Sequence, residues 1–185
     1  MKMALMAPAQ PGDLVLVRTK GVSFAIARRL VRSNYDHIAV VMHDDETLNI
    51  VRPRTVMLRL STIGRPQNAP LVLRPNWHSP KQREEFIAEM QRFVGTTYDA
   101  RKALLGVFVT FLRTWLGLKL CLSRRDASTD KHICTEAILL SLIKTLPDFS
   151  AIEGTELDYY ALGFATTNDF LRIAERFPNL LAVVS

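Results

Sequence analysis

The residues in this chain best placed to do chemistry are a cysteine, a histidine and an amide, far apart in sequence. Cys134 stands where a polar run, Asp126 to Asp130, gives way to the apolar helical pattern Ile133 to Leu142. A thiol at a helix N-terminus lies near unpaired backbone N–H groups and the positive end of the helix dipole, which favours its nucleophilic thiolate. The same position also suits a small buried hydrophobe that opens a core helix.

A thiol nucleophile needs a base within hydrogen-bond reach and a polar group that orients the base. His37 heads the run Ile38-Ala39-Val40-Val41-Met42, so its ring starts at a strand end, where it either faces a cleft or simply caps the strand. His132 stands two residues before Cys134, which is poor geometry for a base acting on a thiol at a helix start. His43 and His78 fall at turns and read as solvated. Asn49 is an isolated amide in the next strand, Thr47 to Val51, and is the candidate for the orienting group if it faces inward rather than to solvent.

Other chemistries have less support. Cys121, His132 and Cys134 match no ordinary zinc spacing and lack a fourth ligand, no glycine-rich phosphate loop is present, and no cofactor is expected. With 24 basic and 18 acidic residues the net charge is +6. That balance suits anionic lipid, an acidic partner or nucleic acid. The arginines at 28, 29, 32, 124 and 125 have no interleaved aromatics, so nucleic-acid binding rests on charge alone.

The elements that must position these groups are legible in outline. Pro11-Gly12-Asp13 is a turn before the strand Leu14 to Arg18. Ser23 can N-cap a helix with apolar positions Phe24, Ile26, Ala27, Leu30 and Val31, leaving Arg28, Arg29 and Arg32 on a basic face. A hairpin over residues 35–51, a third strand at Thr55 to Leu60 and a short strand at Leu71 to Arg74 follow. Ser79-Pro80 opens a helix whose buried stripe is Phe86, Met90, Phe93 and Val94, with Gly95 as its C-cap. The Cys134 helix ends near Thr145 before Pro147, Asn168 N-caps a last helix, and Leu180 to Val184 suits a closing strand. About five strands joined by tight turns, then helices, predict an α+β fold with an antiparallel sheet packed against helices.

Residues 1–185 are expected to form one domain, with an apolar helical insertion at about 103–122. Arg113 and Lys119 interrupt that segment, which argues against a spanning helix and leaves an interfacial one open. The first eleven residues lack a signal peptide's long apolar region. Two cysteines make no disulfide framework. The expected location is therefore cytoplasmic, with peripheral contact to anionic membrane as an option.

The order of features resembles the circularly permuted papain-like cysteine hydrolases, the YiiX-like branch of the NlpC superfamily. Gly12-Asp13, Asp36-His37-Ile38, Tyr98-Asp99 and Cys134-Thr135-Glu136-Ala137 match that branch's short motifs in order. Thr166-Thr167-Asn168-Asp169-Phe170 resembles its closing element without the proline. The resemblance covers about residues 11 to 172. It implies an NlpC-like fold, Cys134 as nucleophile, His37 as general base and Asn49 as the orienting residue, where many relatives carry a glutamate. The activity implied is hydrolysis or acyl transfer at an amide, ester or thioester. Substrates would be peptides, other amides or lipid acyl groups, since related permuted enzymes include lecithin:retinol acyltransferase-like proteins. A catalytically inactive lipid- or peptide-binding module on the same fold is the competing expectation, and Asn49 in place of an acid is its support.

Overall fold

The computed structural model describes residues 9–63, 70–117, 131–152 and 165–184. Cys121, the distal end of the apolar segment and the Arg124-Arg125 pair lie outside the described residues. The architecture is α+β, as the pattern of turns and alternating runs predicts. Six strands form one antiparallel sheet: β1 (Leu14–Val17), β2 (His37–His43), β3 (Glu46–Asn49), β4 (Val56–Arg59), β5 (Leu71–Pro75) and β8 (Leu181–Val184). Their order is β4-β3-β2-β1-β5-β8. The apolar tail is thus an edge strand, paired with β5 from Val72↔Val184 to Pro75↔Leu181. A second, two-stranded parallel pair joins β6 (Thr97–Tyr98) to β7 (Lys131–His132) and ties the Tyr98 turn to the approach to Cys134.

The helix α5 (Cys134–Thr145) is the centre of the packing. Ala137, Ile138, Leu139 and Leu142 are buried with Leu14, Leu16, Ile38, Val40 and Met42 of the sheet. The helix α3 (Pro80–Gln91) packs on α5, burying Phe86 and Met90. Ser79 is its N-cap, accepting from the Gln82 N–H at 3.3 Å, and Pro80 takes the first helical position, where its missing N–H costs nothing. Arg92, not Gly95, is the C-cap of α3. Val94, expected in the buried stripe, is exposed because the helix has ended before it. Short helices α2 (Leu60–Ile63) and α6 (Pro147–Ile152) follow β4 and α5.

Two helices depart from the sequence pattern. The first, α1 (Val22–Val31), is capped by Gly21 at φ 131° rather than by Ser23. Its expected faces are partly exchanged: Phe24 and Ile26 are exposed, whereas Arg28 is buried. The physical reason is an ion pair. Arg28 Nη1 reaches Asp36, with both side chains under a tenth exposed, and also donates to the Thr19 carbonyl at 2.7 Å. The last helix, α7 (Thr167–Arg176), is capped by Thr166, not Asn168, through a capping box with Asp169. Asn168 instead donates to the Val31 and Arg32 carbonyls at 3.1 and 3.0 Å. The apolar segment forms α4 (Ala100–Leu116), which packs against α1.

Candidate functional site

His37, Asn49 and Cys134 come together. β2 and β3 pair antiparallel with Val40 opposite Leu48, which places Asn49 diagonally from His37 across the ladder, within reach of a long side chain. His37 Nε2 and Asn49 Oδ1 are 3.1 Å apart. The orientation of that amide is fixed from behind. Asn49 Nδ2 donates to the Thr47 carbonyl at 3.1 Å and to Thr47 Oγ1 at 2.9 Å. Thr47 Oγ1 can accept because it spends its own proton on the Leu58 carbonyl at 2.9 Å. Asn49 therefore presents its oxygen to the ring, and Nε2 must carry hydrogen. That tautomer leaves the Nδ1 lone pair for the thiol.

Cys134 is the first residue of α5, and the residue before it, Ile133, caps the helix without a side-chain hydrogen bond. The orphan N–H groups of the first turn are thus left for another partner. The sulfur meets the backbone N–H groups of Ile38 and Thr135 and the His37 ring. Burial pushes the thiol upward, but the His37 hydrogen bond and charge and the two backbone N–H groups outweigh it, and the thiol lies below its ordinary value. For His37, burial pulls downward, while the contact with Cys134, the Asn49 oxygen and the Asp36 charge prevail and raise the imidazole. The two shifts share one cause, the contact between thiol and ring, and belong to the pair.

The remaining motif residues hold this constellation in place. Buried Asp13 takes Arg74 of β5 bidentately, at 2.9 and 2.8 Å, and accepts from the Gln10 N–H at 2.8 Å. Gly12, at φ 89°, lies in the left-handed region that favours glycine, and a Cβ there would be crowded at 3.0 Å from Arg83 and 3.1 Å from Trp77. Asp36, beside His37, accepts from the Thr19 N–H at 2.9 Å in addition to Arg28. Asp99 accepts from the Lys102 N–H at 2.9 Å and so caps α4. Lys102 Nζ lies 2.6 Å from Glu136 Oε1, with the glutamate side chain 1% exposed. The Cys-Thr-Glu triplet thereby locks α4 to the start of α5. Thr167 Oγ1 donates to the Tyr35 carbonyl at 2.7 Å, fixing the turn that leads into His37.

The ion-pair roles of Arg28 and Lys102 are not legible in the sequence: each stands next to another arginine, Arg29 and Arg101, and no spacing rule says which of the two turns inward to a distant acid.

A cavity of about 300 Å³ opens at Cys134 between α1 and α4. Phe24, Val31, Leu104 and Val107 give it apolar walls, and Tyr98, Thr135 and Thr166 add polar groups near the thiol. Burial, then the charges on Cys134 and Asp99, hold the Tyr98 phenol well above its ordinary value, so it stays protonated and can donate. A carbonyl carbon at the sulfur could have its substituent in this cavity. Among the described residues, no group of three or more His, Cys, Asp or Glu side chains is placed to hold a metal ion.

No protein-family model matches the sequence, and no curated protein does. Among solved structures, one described as the metalloprotein YiiX from Escherichia coli O157:H7 is similar over 97% of this chain and 98% of its own. The sequences are 13% identical and the TM-score is 0.46. A likeness that slight carries nothing about the site.

Proposed function

We propose that the protein is a cysteine-dependent hydrolase or acyltransferase acting on an amide, ester or thioester. The observation that supports this is the continuous polar chain Thr47–Asn49–His37–Cys134, because each link dictates the proton position of the next. Nothing in a purely structural role requires an imidazole held in one tautomer with its other nitrogen on a thiol at a helix start. The ordered motifs shared with permuted papain-like hydrolases point the same way.

In this reading the Cys134 sulfur attacks the carbonyl carbon, and the carbonyl electron pair moves to oxygen. Backbone N–H groups in the first turn of α5 stabilise that oxyanion. Imidazolium His37 protonates the leaving nitrogen, oxygen or sulfur as its bond to carbon breaks, leaving a thioester on Cys134. His37 then takes a proton from water, or from the hydroxyl or amine of an acceptor. The incoming atom attacks the thioester, and the thiolate departs. Asn49 keeps the ring oriented through both halves.

The test is hydrolysis of p-nitrophenyl acyl esters with intact-mass detection of the acyl-enzyme. Wild type is expected to gain one acyl mass and release nitrophenol. Cys134→Ala is expected to do neither, with kcat/KM down by about 10⁴-fold or more. Equal turnover by the alanine variant would sink the reading. An inactive binding module would instead bind ligand in the cavity while Cys134 alkylated at the rate of an ordinary thiol.

A further inference from the structure

We infer that the outer face of α4, with Phe24 of α1 across the cavity mouth, docks on an anionic lipid surface. The inference rests on the proposed acyl chemistry only for what the cavity receives; the docking stands on the surface itself. Large apolar side chains are exposed on α4 where a sheet-packed helix would bury them. Leu104 is 72% and Phe108 53% exposed, and Leu105, Trp115 and Leu116 are exposed as well. These side chains share one face of α4 with Arg101.

α1 packs on α4 beside this face: Trp115 Nε1 donates to the Leu30 carbonyl at 2.9 Å, and the Arg32 guanidinium lies 4.1 Å from the Trp115 ring centroid. Leu104 belongs to the exposed face and also lines the cavity, together with exposed Phe24 of α1, so the apolar face borders the space that ends at Cys134.

Charge selects the occupant. Neither α1 nor α4 contains an aspartate or glutamate. Arg28 and Lys102 are turned inward to Asp36 and Glu136, whereas Arg101 on the same face and Arg32 over Trp115 are exposed. An apolar face fringed by arginine is the pattern of a helix lying in a membrane interface, and the long basic side chains can reach back to phosphates. A second copy of this face would set like charge against like charge. Among the described residues no helix is long and apolar enough to cross a membrane.

The experiment is flotation of the full chain with phosphatidylcholine vesicles, with and without phosphatidylglycerol. Wild type and Cys134→Ala are expected to float equally with the anionic vesicles, less with neutral ones, and less as salt rises. Leu105→Ser/Phe108→Ser, neither residue lining the cavity, is expected to lower partitioning by about tenfold or more. Arg32→Glu/Arg101→Glu provides a second variant that leaves the apolar side chains in place and is expected to lower it as well. Absence of flotation, or flotation unchanged in both double variants, would overturn the inference. So would a dimer in sedimentation velocity that Leu105→Ser/Phe108→Ser dissolves without any vesicle binding. The rate of Cys134 alkylation, measured without vesicles, separates the two proposals: docking with an ordinary thiol removes the catalytic reading alone, and a fast thiol without flotation removes the docking alone.

Discussion

The two sides of the Cys134 cavity are built on opposite principles. On one side, α5 is buried on almost every face, and its contacts with β1, β2 and α3 leave its first residue no freedom to wander. On the other, α1 and α4 bury one stripe and turn large apolar side chains outward. The first side holds every group that would handle a proton. The second supplies most of the space and little chemistry. The difference teaches that precision in this molecule comes from the sheet and α5, while α1 and α4 are free to meet whatever brings the substrate. Two ion pairs, Arg28–Asp36 and Lys102–Glu136, are the joints between them.

The sharpest way to break this division is at the ring. His37→Ala is expected to lower kcat/KM for an acyl ester by about 10²–10⁴-fold, the range for a positioned general base. It should also change the pH dependence of iodoacetamide alkylation. The contact between Cys134 and His37 lowers the thiol and raises the imidazole. Wild-type alkylation therefore falls on acidification only below the pH at which an ordinary thiol loses reactivity. In His37→Ala that limb moves upward. An unmoved limb would show that the ring does not govern the thiol.

Cutting a joint is expected to cost stability more than chemistry. Lys102→Met removes the ammonium that lies 2.6 Å from buried Glu136, and removal of one member of a buried pair costs about 3–5 kcal/mol. Lys102→Met/Glu136→Leu should recover most of it, since a well-packed apolar pair replaces the ionic one. Urea unfolding of the single and double variants measures both. If the single variant unfolds like wild type, α4 is held by something else.

Within one side against the other, equal-looking truncations should differ. Ile138→Ala empties space in the main core, where Ile138 is 1% exposed, and is expected to cost about 2–5 kcal/mol. Val22→Ser on the outer face should stay within about 0.5 kcal/mol. Comparable losses in the two would mean that the outer face is packed in the folded protein.

The same contrast explains how much was legible in the residues. His37, Asn49 and Cys134 could each be picked out because a polar side chain in an apolar run has to be doing something, and strand alternation set which strands would meet. The α+β class and the existence of the tail strand followed from turn residues and apolar runs, whereas its pairing with β5 had no signal in the sequence. The faces of α1 did not. A ten-residue helix carries two candidate stripes, and a partner outside the helix, Asp36, decided which arginine turned inward. The N-cap of α7 was missed for a similar reason. Asn168 has the right chemistry, but the carbonyls at the end of α1 claim its amide, and Thr166 takes the cap.

That displaced asparagine gives the smallest and most discriminating prediction. Asn168 donates to Val31 and Arg32 carbonyls left over at the C-terminal end of α1. The segment beyond them, through Tyr35 and Asp36, leads into His37. Asn168→Ala removes those two hydrogen bonds without touching the α7 cap, so about 1 kcal/mol of stability should be lost. A Ser79→Ala variant, which removes the α3 cap but no bond to the His37 approach, should lose a similar amount. If the approach to His37 matters for the ring, Asn168→Ala lowers kcat/KM beyond what Ser79→Ala does at equal stability. If both variants lose activity only in step with unfolding, the connection from α1 to β2 is passive, and Asn49 with Thr47 positions the ring unaided.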